Sequence, residues 1–155
     1  MELILDEHKP SLLWRAIFEI EPSLVSTAVA DGEDPNIIPA GFSWSWLQLA
    51  VFHRRYEAIV ELIKYGVVVQ EDSLSPLGEM DITDYMIESI YEEAEYAKII
   101  TLLGNLGAKV NIKAYNGVEL IENFPEQDYP LIYRAILAVT RHTISEFLAH
   151  YLRKV

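Results

Sequence analysis

The sequence predicts an all-α protein built as a short stack of helical hairpins. Two observations predict it. The first is a repeated structural phrase: Ile99 to Asn111 reads as the end of a buried helix, a glycine stop and a tight polar exit. The phrase recurs at Ile59 to Val69 and, more weakly, at Leu24 to Asn36. The second is spacing. The stops Gly32 and Gly66 lie 34 residues apart and Gly66 and Gly107 lie 41 apart, intervals that suit stacked repeats with one loop insertion. With 155 residues, half of them apolar, the chain is long enough for one domain with a sizeable core.

The elements follow in order. After an irregular lead-in, Pro10-Ser11 starts a helix, because a serine hydroxyl accepts from an orphan N–H of the first turn. Leu13, Ala16, Ile17 and Ile20 recur at helical spacing behind it. Pro22 suits the first turn of a second helix with Leu24, Val25, Ala28 and Val29 as its buried stripe, ended by Asp31-Gly32. In the next unit Ser43 or Ser45 caps a short helix carrying Leu47, Leu49 and Ala50. Its partner uses Tyr56, Ile59, Val60 and Ile63 and stops at Gly66. Asp72 to Gly78 reads as an enlarged loop. A helix through Met86, Ile87 and Ile90 and another through Tyr96, Ile99, Ile100 and Leu103 follow, the latter ending near Gly104 or Gly107. Leu131, Ile132, Ala135, Ile136 and Val139 form a further helix. Thr140-Arg141-His142-Thr143 then leads into a stripe of Ile144, Phe147, Leu148 and Tyr151, expected to be a separate capping helix over 140–155.

Gly107-Ala108-Lys109-Val110-Asn111 and Gly32-Glu33-Asp34-Pro35-Asn36 match the hairpin exit Gly-Ala-Asp-x-Asn of ankyrin repeats. Ile59 to Gly66 matches the second helix and its stop, and Asn116-Gly117 before Leu120-Ile121 matches the opening of another unit. The chain thus resembles a divergent ankyrin-repeat protein over about residues 11 to 137, and the interval of 34 agrees with that family's period. The resemblance implies a single domain over 1–155, an ankyrin-like solenoid of about four stacked hairpins with a C-terminal cap. It also implies partner binding through loops and the first-helix face. The departures lie in the first helix. Where the family has Thr-Pro-Leu-His, this chain has Ser45-Trp46-Leu47-Gln48 and Asp84-Tyr85-Met86-Ile87, and Arg54-Arg55 stands where the inter-helix turn has glycine.

Charge narrows the partner. The chain carries 24 acids against 12 lysines and arginines, a net −12, which argues against direct nucleic-acid binding. Between Lys64 and Lys98 there is no basic residue, while nine acids fall inside. No apolar run approaches a membrane span, and the N-terminus carries acids where a secretory signal carries lysine or arginine. A cytosolic protein is expected. The absence of cysteine excludes disulfides and thiolate metal sites within the chain.

No catalytic signature is present: Gly104-Asn105-Leu106-Gly107 lacks the spacing and lysine of a phosphate loop, and no Gly-x-Ser-x-Gly occurs. His142, Glu146 and His150 share one helical face, which is read as an ordinary polar face rather than a metal site. No cofactor is expected. The candidate partner-binding residues are Trp44 and Trp46, with Asp81, Asp84, Tyr85, Glu88, Glu92 and Glu95 along one helical face. Each tryptophan has two readings, interface anchor or core filler. The acid row also has two, solvated face or a patch that steers a basic protein. The expected function is non-enzymatic protein binding, in its sharpest form an acidic inhibitor or immunity-type protein neutralising a basic partner such as a nuclease. The alternatives are a scaffold or effector that recruits a protein without inhibiting it and, behind that, a metal-dependent enzyme.

Overall fold

The computed structural model describes residues 11–79, 90–113 and 117–153; the side chains of 142–147, 150 and 151 are outside that description. The described residues are all-helical, with one isolated antiparallel bridge between Lys113 and Glu119 and no strand. The chain forms two compact units, Met1–Val68 and Val69–Val155.

The first unit holds α1 (Leu12–Phe18), α2 (Leu24–Ala30), α3 (Trp46–Phe52) and α4 (Tyr56–Lys64). α1 pairs with α2 and α3 with α4, and the hairpins stack so that α1 meets α3 and α2 meets α4. A frame of 34 residues relates the two hairpins side chain by side chain. Ser11 and Ser45 are both N-caps whose hydroxyls accept from the N–H three residues on. Leu13 and Leu47, Ala16 and Ala50, Ile17 and Val51, Val25 and Ile59, and Ala28 and Leu62 are all buried. Gly32 and Gly66 both take positive φ, +94° and +109°. Helices this short are marginal alone, so the core shared between stacked hairpins holds them.

The exits are also alike. Gly32 N–H donates to Val29 O and Glu33 N–H to Ala28 O; Gly66 and Val67 do the same to Ile63 and Leu62, and Gly107 and Ala108 to Gly104 and Leu103. This pair of bonds satisfies carbonyls that a helix end leaves open, and it needs the left-handed conformation that glycine adopts without strain. Asn36 then ties one exit to the next. Its Nδ2 donates to Gly66 O at 3.1 Å and its Oδ1 accepts from Val68 N–H at 3.1 Å.

α3 starts with a capping box. Ser45 Oγ accepts from Gln48 N–H at 3.1 Å and Gln48 Oε1 accepts from Ser45 N–H at 3.0 Å. The inter-helix turns close without glycine. Ile20 (φ +55°) and Arg54 (φ +56°), again 34 residues apart, take the left-handed position themselves. Arg55 also joins the hairpins, since its Nε donates to Ile17 O at 2.8 Å and its Nη1 to His53 O at 2.7 Å.

The second unit holds α5 (Pro76–Glu79), α6 (Ile90–Asn105), a 3₁₀ turn (Leu120–Asn123) and α7 (Pro130–Arg153). α6 buries Tyr96, Ile99, Ile100 and Leu103 against Ile132, Ile136 and Val139 of α7. The carboxylate of Glu93 accepts from Leu131 N–H, and a Cβ on Gly104 would lie 2.5 Å from Val139 Cγ1, so the two helices run in the same direction. The segment between them turns back through the Lys113–Glu119 bridge, and Leu120 N–H donates to Ile112 O at 2.8 Å.

Three expectations are corrected. Asp72 to Gly78 is not all loop, because Pro76–Glu79 forms a helical turn with Pro76, Leu77 and Gly78 buried. Met86 and Ile87 of the expected preceding helix lie outside the described residues and Ile90 lies within α6; of the two glycines offered as its end, Gly104 lies inside α6, where it serves close packing, and Gly107 takes the exit. There is no break at Thr140: α7 runs unbroken through it, as nothing from 131 to 153 is proline or glycine. The Thr140 hydroxyl donates to Ile136 O within the helix at 2.8 Å, so 140–153 is the second half of α7 and not a separate cap. Finally, α2 begins at Leu24, with Pro22-Ser23 in the turn before it rather than in its first turn; of the two serines offered as the cap of α3, Ser45 serves.

Candidate protein-binding surface

The first helices of both hairpins end in phenylalanine, Phe18 on α1 and Phe52 on α3, at equivalent places in the 34-residue frame. Around them the first unit assembles a row of rings. Trp14 stacks on Phe18 with centroids 4.9 Å apart, and Phe18 meets Phe42 of the inter-hairpin loop at 6.1 Å. Phe18 and Phe52 each meet the His53 imidazole edge-on, at 4.7 and 5.1 Å, and Phe52 meets Trp44 at 5.0 Å. None of the six is fully buried, and Phe42 is 39% exposed. The same loop presents Ile37 and Ile38 to solvent, and the adjoining turn presents Ile20, 62% exposed. Rings held by neighbouring rings offer large area with little rotamer entropy left to lose, which suits anchors of a protein interface.

The cations beside this row are held in place. Arg15 pairs with Glu19 at 3.0 Å and Glu21 at 3.1 Å, and those carboxylates raise its pKa. The His53 imidazole titrates below its ordinary value, chiefly because it is partly buried and secondarily because of the Arg55 charge.

Of the expected residues, Trp44 belongs to the row. Trp46 is 5% exposed and fills the core of the first hairpin stack, so its side chain does not reach the surface. Asp81, Asp84, Tyr85 and Glu88 lie outside the described residues. Glu92 and Glu95 stand on α6, both partly buried and both engaged in contacts of their own. Between them Glu93 points inward, 6% exposed, and its Oε2 accepts from the N–H groups of Leu131 at 2.7 Å and Ile132 at 3.0 Å. Tyr91, 84% exposed, stands at the start of the same helix.

Trp14, Phe18, Phe52 and His53 were not singled out from sequence. The repeat frame carries the missing signal, since placing Phe18 over Phe52 marks both as outward positions beside the buried Ile17 and Val51. His142, Glu146 and His150 have no described side chains, and among described residues no group of three His, Asp or Glu is placed to hold a metal. A shallow groove lined by Pro125, Glu126, Gln127, Pro130 and Arg134 brings one carboxylate and one guanidinium together without a nucleophile. No helix of the described residues is long and apolar enough to cross a membrane. No protein-family model, curated protein or solved structure matches the chain.

Proposed function

We propose that this chain is a non-enzymatic protein-binding module of ankyrin-like build that acts in the cytosol through the ring-bearing face of its first unit. The observation that carries the reading is the row Trp14, Phe18, Phe42, His53, Phe52 and Trp44, partly exposed across two stacked first helices and the loop between them. The 34-residue frame, the glycine exits and the Asn36 ties support the ankyrin-like assignment. The net charge of −12 favours a basic partner, and the sharpest form of the reading is an inhibitor of immunity type that neutralises a basic protein acting on nucleic acid. In that form Asp81, Asp84, Glu88, Glu92 and Glu95 steer the encounter and the rings supply the anchors.

The second reading is recruitment without inhibition, favoured by the apolar character of the row, which is suited to holding a partner without regard to its active site. One experiment separates them. The tagged chain and its Phe42→Ala, Trp44→Ala variant are used to capture proteins from source-cell lysate at low and high salt, and the captured protein's activity is then assayed. A basic protein bound by wild type, weakened by salt, lost in the variant and inhibited in the assay supports the inhibitor. A partner held at both salts and active in the complex supports recruitment. Equal capture by wild type and variant refutes the row as the binding face.

A further inference from the structure

The ring row passes from the first hairpin to the second through a titratable group. Trp14, Phe18 and Phe42 connect to Phe52 and Trp44 through the His53 imidazole, which touches Phe18 of α1 and Phe52 of α3 edge-on. We infer that His53 is an acid-sensitive latch: its neutral imidazole joins the ring clusters of the two hairpins, and its protonation loosens the seam between them.

The surroundings explain why a charge fits badly there. α3 (Trp46–Phe52) carries no ionisable side chain, and neither does the loop from Ile37 to Ser45 that brings Phe42 and Trp44. The turn after α3 supplies two cations, Arg54 and Arg55, and Arg55 is fixed nearby because its Nη1 donates to the His53 carbonyl. The turn after α1 offers Glu19 and Glu21, but both carboxylates are held by Arg15 of α1 at 3.0 and 3.1 Å. The first turn of α4 offers Glu57, which is exposed. A positive imidazole would therefore meet desolvation and a like charge.

The sign follows from the titration. Burial first and Arg55 second hold the imidazole below its ordinary 6.5, so the unfolded chain takes up the proton more readily than the folded one. The stability that the neutral ring contributes is complete above about pH 6.5 and is lost as the pH falls below it. The consequence for docking rests on the row being the binding face; the latch itself does not.

The test needs no partner. The full chain is titrated from pH 8 to pH 5 by NMR, following the assigned imidazole of His53, the indole of Trp44 and the ring of Phe18. The latch requires a His53 midpoint below 6.5, with the Trp44 and Phe18 signals moving at that same midpoint. In His53→Phe, which keeps a ring and removes the proton, those movements disappear. If that variant does not fold, His53→Gln takes its place. The inference is overturned if His53 titrates at or above 6.5, if the neighbouring rings do not follow it, or if they move equally in the variant. A failed capture experiment leaves these signals unaffected, so the two readings fail separately.

Discussion

Replacing Glu93 should unfasten α7 from α6. Glu93 is 6% exposed, and one carboxylate oxygen accepts from Leu131 N–H at 2.7 Å and Ile132 N–H at 3.0 Å. These are first-turn donors of a helix of 24 residues, which have no partner inside the helix. Pro130 contributes no N–H, and Tyr133 N–H already reaches Tyr129 O at 2.9 Å. Glu93 therefore does from 38 residues away what a local N-cap usually does, and it adds a negative charge at the positive end of the helix dipole. A charge-assisted hydrogen bond contributes about 1.5–3 kcal/mol, and two that share one oxygen contribute less than twice that. Glu93→Ala should thus cost about 2–4 kcal/mol, because it also leaves one buried and one partly buried N–H group unmet. Glu93→Gln keeps an acceptor but loses the charge and should cost about 1–2 kcal/mol. Urea unfolding followed by circular dichroism measures both, and amide exchange at Leu131 and Ile132 localises the effect. A cost for Glu93→Ala below about 0.5 kcal/mol, with unchanged protection at those two amides, would refute the capping argument.

Three further outcomes are expected. Gly104→Ala should destabilise by about 1–3 kcal/mol, because its Cβ would sit 2.5 and 2.9 Å from the two Cγ atoms of Val139. Val139→Ala should recover part of that loss in a double-mutant cycle, and purely additive costs would contradict the close approach. Ile20→Asn should raise the thermal midpoint, by roughly 1 kcal/mol of stability, since it relieves a β-branched left-handed residue whose side chain is 62% exposed; a lowered midpoint would mean that the isoleucine packs productively. Asn36→Ala breaks both ties to the next exit and should cost about 1–2 kcal/mol in chemical denaturation, with faster amide exchange at Val68 as its local mark.

The legible parts of the fold were those where one residue type has one physical use. Gly32, Gly66 and Gly107 announce left-handed exits, and Ser11 a helix start, because few side chains serve those positions. Gly104 misleads because glycine has a second use, close helix packing, which sequence alone does not distinguish from termination. Ile20 and Arg54 occupy left-handed turns with nothing in their identity to mark it, since the strain is absorbed by the packed hairpins around them. The continuity of α7 through Thr140 was illegible for the opposite reason: the polar run Thr140 to Thr143 interrupts an apolar pattern without interrupting a helix.

The candidate surface was half legible for similar reasons. Trp44 and Trp46 look alike in sequence, but the pitch of α3 turns Trp46 into the core and leaves Trp44 at its margin. Glu92, Glu93 and Glu95 form one acidic run in the sequence, yet Glu93 caps α7 while its neighbours stay partly exposed. Charge reads the same in one dimension whether it faces water or a buried amide.

The 34-residue frame of the first unit separates two kinds of position. Leu13 and Leu47, Ala16 and Ala50, Ile17 and Val51, with the serine caps and glycine exits, fix the backbone. Glu19 opposite His53 and Ile20 opposite Arg54 differ on the same backbone. A lineage can therefore rewrite the chemistry displayed by either hairpin, one outward residue at a time, while the scaffold that displays it stays folded. Duplication of a single hairpin followed by divergence at those outward places is enough to turn one recognition surface into another.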